Sequence, residues 1–271
     1  MSLVETGWLE KNLQNVKIID CSWHMAQTQR NGFEEYKLQH IPNAIFFDLD
    51  KNSDKDTNLP HMLVKIDEWE KIVSKMGIKK NDNIVIYDNS DVVSSCRCWY
   101  NFIYFGHDPK LVNVLNGGFK KWLSEKRQIT NKKTIIKISN YKSFEKNRLI
   151  KNKMEIDKNI DNQNFKVIDA RSLDRFEGKV SEPRQGLRSG NIKNSFCIPF
   201  NKCFNNDKTF KDPEELKNIF KTCLKDINEE NVVFSCGSGV TACVLALAYS
   251  LINDKYLPCI YDGSWAEYGL I

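Results

Sequence analysis

The chain has 271 residues, of which 41% are hydrophobic and 28% charged, and its net charge is +5. That length suits two domains of ordinary size, and no run reaches the roughly 18 apolar residues that a membrane-spanning helix needs. The positive charge comes from scattered lysines, with no basic stripe interleaved with aromatics, so nucleic-acid binding is not expected.

The opening residues, Met1-Ser2-Leu3-Val4-Glu5-Thr6, lack the basic and apolar regions of a secretory signal. Further along, Ile66–Met76 reads as a helix, and Ile84–Tyr87 and Val112–Leu115 as buried parallel strands. A Lys/Asn-rich stretch, 128–147, reads as a connection. Beyond it, Asp212-Pro213-Glu214-Glu215 starts a helix running to Lys221, with an N-cap Asp, Pro at the first position and acids in the first turn. Val232–Ser235 and Cys259–Tyr261 repeat the buried-strand pattern, and Val240–Leu251 between them is an apolar helix. Strands alternating with helices define an α/β fold built on parallel sheets.

The two halves are copies. Asp20 returns as Asp169, Ile41 as Ile192, Ile84 as Val232 and Gly117 as Gly263, each about 150 residues later. A period of that size is one whole domain, not a solenoid repeat.

Nine cysteines, Cys21, Cys96, Cys98, Cys197, Cys203, Cys223, Cys236, Cys243 and Cys259, make an odd count with no signal peptide before them. This predicts thiols in a reducing, cytoplasmic compartment. Only Cys96 and Cys98 are close in sequence, and no second pair completes a zinc site, so no metal is expected.

The sharpest local signal is Val232-Val233-Phe234-Ser235-Cys236-Gly237-Ser238-Gly239-Val240-Thr241-Ala242. A strand ends on a cysteine, two glycines let the chain curl, and an apolar helix follows. Backbone amides and a helix N-terminus around the sulfur favour an anion there, and so a thiolate nucleophile or a persulfide. Three other readings compete. A structural buried cysteine is the bland one. Gly237-Ser238-Gly239-Val240-Thr241-Ala242 fits a dinucleotide fingerprint, but only 29 residues follow Ala242, too few for the remaining strands. A cysteine phosphatase would want arginine six residues after the cysteine, where Ala242 stands. The first-half counterpart of Cys236 is Asp88, and a carboxylate forms no persulfide.

The Cys236 loop, the tandem halves and Tyr261-Asp262-Gly263-Ser264-Trp265 resemble the rhodanese superfamily and, within it, the 3-mercaptopyruvate sulfurtransferase branch. Cys21-Ser22-Trp23, His40 to Asp50, Pro60-His61-Met62-Leu63, Phe105-Gly106-His107 and Glu182 to Gly190 carry the same resemblance. It implies two tandem rhodanese-like domains, each a parallel sheet flanked by helices. The expected division is an inactive domain at 1–127, a linker at 128–147 and a catalytic domain at 148–271.

The resemblance also implies roles. Cys236 would carry sulfur. Arg175 and Arg184 would hold the substrate carboxylate, for which paired charge-assisted bonds suit arginine. Ser238, with His61 and Asp50, would manage the proton, and Gly237, Gly239, Val240 and Thr241 would line the loop. Arg171 and Arg188 lie near enough in sequence to be structural. A small anionic sulfur donor, and a thiol acceptor such as thioredoxin, a small thiol or cyanide, are expected, with no metal or organic cofactor and a monomeric chain. The Gly-Ser-Gly loop lacks the basic residues of the thiosulfate branch, which stays as the alternative substrate class. A non-catalytic sulfur-relay or scaffold protein is the alternative of another kind.

Overall fold

Apolar runs of two to four residues, too short to be core helices, pair into two five-stranded parallel sheets in the computed structural model, which describes residues 2–271. Contacts divide the chain into two compact units. The first comprises Met1–Lys55, Leu63–Lys146 and Asn205–Thr209, and the second Asp56–Met62, Asn147–Phe204 and Phe210–Ile271. His61 therefore groups with the second unit, although it stands in the first half of the sequence.

The first unit runs β1 (Leu3–Val4), α1 (Thr6–Asn12), β2 (Lys17–Asp20), α2 (Gly32–Leu38), β3 (Ala44–Phe46), α3 (Ile66–Lys75), β4 (Ile84–Tyr87), α4 (Ser95–Tyr104), β5 (Val112–Leu115) and α5 (Gly118–Ser124). Its sheet order is β1-β5-β4-β2-β3, all parallel. The second unit runs β6 (Ile150–Lys151), α6 (Lys153–Asn162), β7 (Lys166–Asp169), α7 (Leu173–Phe176), β8 (Phe196–Cys197), α8 (Pro213–Phe220), β9 (Val232–Ser235), α9 (Ala242–Ser250), β10 (Ile260–Tyr261) and α10 (Ser264–Tyr268). Its order, β6-β10-β9-β7-β8, is the same permutation. The duplication read from the sequence is thus a duplication of topology.

The central strands are buried on both faces, as βαβ crossovers require. In the first unit Leu9, Ile18, Val85, Leu115, Phe119 and Trp122 share one core; in the second, Ile156, Val167, Ile192, Val233, Tyr261 and Trp265 do. Apart from Ser250, every residue of α9 is buried. Its Val244, Leu245 and Leu247 each contribute about 1.5–3 kcal/mol of transfer energy. The start of α8 is as expected: Asp212 accepts from the Glu215 amide while Glu215 reaches back to the Asp212 amide, and Pro213 takes the first position.

Residues 128–147 form few regular elements but do not hang free. His40 and Thr130 exchange two backbone bonds of 2.8 and 2.9 Å, and Ser139 N donates to Ser74 O. Tyr141 is buried, with its hydroxyl 3.0 Å from His107 Nδ1 and the two rings stacked at 4°. Through Lys146 this stretch belongs to the first unit and straps it. Extended backbone bonded piecemeal to different partners leaves no hydrophobic period to read.

Candidate active site

Parallel α/β sheets build their sites where the strands end and the helices begin. In the second unit β9 ends at Ser235, Cys236 follows at once, and α9 begins at Ala242. Gly239 takes φ +77°, the left-handed conformation that lets this short loop turn back under the helix start. Cys243, in the first turn of α9, donates its thiol proton to Gly239 O at 3.1 Å and fixes that turn from below.

The loop carbonyls are tied down. Cys236 O accepts from Trp265 N at 2.9 Å, and Gly237 O from Ala266 N at 2.8 Å. The Cys236 N–H donates to Ser264 Oγ at 3.1 Å. By contrast, the amides of Gly237, Ser238, Val240 and Thr241 donate to no backbone acceptor outside the helix ladder among the described residues. Successive amides left over in such a curl are suited to an anion.

Around this loop the second unit gathers most of the residues singled out from the sequence. His61, at φ +62°, brings Nδ1 to 2.9 Å from Ser238 Oγ, and Arg184 Nη2 approaches the same oxygen at 3.4 Å. A Cβ added to Gly237 would lie 3.2 Å from Arg175 Nη2 and 3.8 Å from Arg184 Nη1. Two guanidinium groups therefore overhang the residue next to Cys236. Asp50 is placed differently: it lies in the first unit, where its carboxylate accepts from Trp23 Nε1 at 2.9 Å.

The two arginines are held in different ways. Arg175 makes a forked pair with Glu182, at 3.2 and 2.5 Å. The same carboxylate accepts from Arg171 Nη1 at 2.7 Å. Arg171 is fully buried; it also binds Asp169 and Gly190 O, and its guanidinium lies 4.3 Å from the Trp265 ring centre. It is structural, one of the two readings open from the sequence. Arg184 sits on a turn pinned at its far end by Trp265 Nε1 to Arg188 O, Arg188 N to Gly269 O and Ile271 N to Gly186 O. Glu182 and Ser264 carry much of this geometry, and sequence reasoning passed over both. The signal for Ser264 was present: it replaces a first-half glycine, Gly118, at the matched position.

The other thiols of the second unit differ in setting. Burial pushes Cys197, Cys203 and Cys259 up to about 12. In the first unit burial also holds Cys21 well above the ordinary thiol range, and Cys96 and Cys98 are fully enclosed, as expected of incidental thiols. Among the described residues no cysteine is in a disulfide, and no three of His, Cys, Asp and Glu gather as a metal site.

The matching loop of the first unit is closed. Asp88 accepts from the Ser90 and Ser95 amides at 2.7 and 3.0 Å, so its own carboxylate fills the curl. Burial raises its pKa, and those bonds offset part of the rise. The left-handed turn there falls on Val93, at φ +50°.

A family model described as the rhodanese-like domain matches residues 5–125 and 152–270. The chain belongs to the rhodanese family, carrying the domain twice. It is 36% identical to thiosulfate/3-mercaptopyruvate sulfurtransferase 1, mitochondrial, of Arabidopsis thaliana, over 98% of this chain and 75% of that protein. It is 35% identical to the 3-mercaptopyruvate sulfurtransferase of Mus musculus, over 98% and 91%. The crystal structure of SseA from Escherichia coli, described as a 3-mercaptopyruvate sulfotransferase of the rhodanese fold, superposes with a TM-score of 0.86. That alignment has 27% identity and covers 98% of this chain and 100% of SseA.

Proposed function

We propose that this chain is a sulfurtransferase that takes sulfur from 3-mercaptopyruvate onto Cys236 and passes it to a thiol or cyanide. The observation that carries the reading is the set of groups at one loop: a cysteine at a strand end, unspent amides beyond it, and two guanidinium groups over Gly237.

The Cys236 thiolate attacks the donor sulfur. The new S–S bond forms as the C–S bond breaks, and the electron pair passes to the methylene carbon as the enolate of pyruvate. Arg184 and Arg175 hold the carboxylate, and the Arg184 guanidinium also faces the charge that develops. The donor's thiol proton ends on that carbon, carried by Ser238 and His61, which already share a hydrogen bond. Pyruvate leaves, and Cys236 retains one sulfur as a persulfide anion cradled by the loop amides of Gly237, Val240 and Thr241. Cyanide then takes the outer sulfur as thiocyanate, or a thiol such as that of thioredoxin takes it as a new persulfide; either returns the thiolate.

The second reading is thiosulfate as donor, favoured by the Arabidopsis relative's name, which includes both substrates. The neutral Gly237-Ser238-Gly239 segment, with no added cation, favours the mercaptopyruvate class. A reducing compartment such as the cytoplasm suits cysteines that, among the described residues, form no disulfide. No helix among the described residues is long and apolar enough to cross a membrane.

The deciding experiment exposes the protein briefly to 3-mercaptopyruvate without acceptor and maps the peptides by mass. One added sulfur on the Cys236 peptide, absent in Cys236→Ser, is the expected result. Pyruvate release by the Cys236→Ser variant at the wild-type rate would remove the nucleophile assignment.

A further inference from the structure

We infer that Ser264 is a positioning residue for the reactive cysteine, a role that rests on the sulfurtransferase reading. The two halves place Gly118 and Ser264 at matched positions, and the backbone is left-handed at both, φ +57° and φ +49°. In the first unit glycine meets this demand, and a Cβ there would stand 2.7 Å from Asp88 O. The second unit keeps a side chain in the same conformation, fully buried, where an L-residue is strained.

What offsets the strain is the hydroxyl. Ser264 Oγ accepts the Cys236 N–H at 3.1 Å and donates to Tyr261 O at 2.8 Å. The next two residues hold the two carbonyls that follow, with Trp265 N on Cys236 O and Ala266 N on Gly237 O. Cys236 is thus gripped through both its amide and its carbonyl. The first unit repeats the carbonyl grip, Phe119 N to Asp88 O at 2.9 Å, and a glycine offers no hydroxyl for the rest. The extra bond occurs in the half that carries the thiol. Fixing the Cys236 amide sets the direction of its Cα–Cβ bond, and small misplacements of an attacking atom are costly in rate.

Ser264→Gly tests this, because it removes the hydroxyl while relieving the strained backbone. The expected variant melts within a few degrees of wild type. Its kcat for pyruvate release with cyanide as acceptor falls about tenfold, while KM for 3-mercaptopyruvate stays within about twofold. Iodoacetamide alkylation of the Cys236 peptide slows in parallel. Ser264→Ala keeps the strain and lowers both kcat and melting temperature. Wild-type kcat and alkylation rate in Ser264→Gly would overturn the role, as would a loss confined to KM. Alkylation needs no sulfur donor, so a wild-type protein that transfers no sulfur sinks the functional reading while the comparison of alkylation rates still judges Ser264.

Discussion

Glu182 shows how one side chain organises several others. Its carboxylate is almost fully enclosed: Oε1 accepts from both Arg171, which packs on Trp265, and Arg175, which overhangs Gly237, and Oε2 from Arg175 alone. Glu182→Gln keeps the shape but removes the charge that both guanidinium groups face. Hydrogen bonds to charged groups contribute about 1.5–3 kcal/mol each. Release of Arg175 is therefore expected to lower kcat/KM for 3-mercaptopyruvate by roughly tenfold to a hundredfold. Steady-state kinetics beside a thermal melt check it; an unchanged kcat/KM would mean that Arg175 needs no such anchor. At this scale the sequence singled out Cys236, Ser238, His61, Arg175 and Arg184, which gather at one loop of the second unit, and Asp50, which lies in the first unit. Glu182 gave no signal because its importance lies in what it orients, and Ser264 showed only as a departure from the first-half Gly118. Neither a glutamate before a proline nor a serine after a glycine announces its hydrogen-bond partner.

The elements were legible in proportion to their periodicity. The strands Ile84–Tyr87, Val112–Leu115 and Val232–Ser235 occupy the predicted residues, and the helices differ only by a residue or two at their ends. The two-residue strands β1 and β6 carry no pattern of their own and exist because β5 and β10 offer them an edge. The strap over the first unit is the larger omission, since its stability comes from scattered anchors. Among these, Tyr141 is buried against His107, and the Lys80 ammonium lies 5.1 Å from its ring centre. Tyr141→Ala is expected to cost about 3–5 kcal/mol, as large-to-small aromatic substitutions do. Limited proteolysis reads the consequence as faster cleavage within residues 128–147. Equal cleavage rates in the variant and the parent would show that Tyr141 does not anchor the strap.

For the molecule as a whole, pH acts through buried carboxylates of the first unit. Burial raises Asp20 to about 7, against hydrogen bonds from Ser22 that pull the other way, and neighbouring Asp88 adds to the rise. A carboxyl whose folded pKa exceeds its unfolded value binds more protons in the folded state. Its stabilising contribution is complete below about 4 and is lost as pH climbs through about 7. From the model value of 3.8 this amounts to on the order of 4 kcal/mol, at about 1.4 kcal/mol per pK unit. Melting curves between pH 5 and pH 8 are expected to fall more steeply for wild type than for Asp20→Asn, which keeps an acceptor for Ser22. Parallel curves would refute the assignment.

The carboxylate of Asp88 also bears on how the two copies can diverge. It is a tethered carboxyl group that takes up two amides of its own loop, so the first copy is permanently occupied. Exchanging it for cysteine would strip the Ser90 and Ser95 amides of their acceptor. The left-handed residue of that loop would still be a valine, Val93, which stands at a different place in its loop from Gly239. No single substitution restores sulfur chemistry there, and the specialisation of the two halves is, in mutational terms, a one-way step.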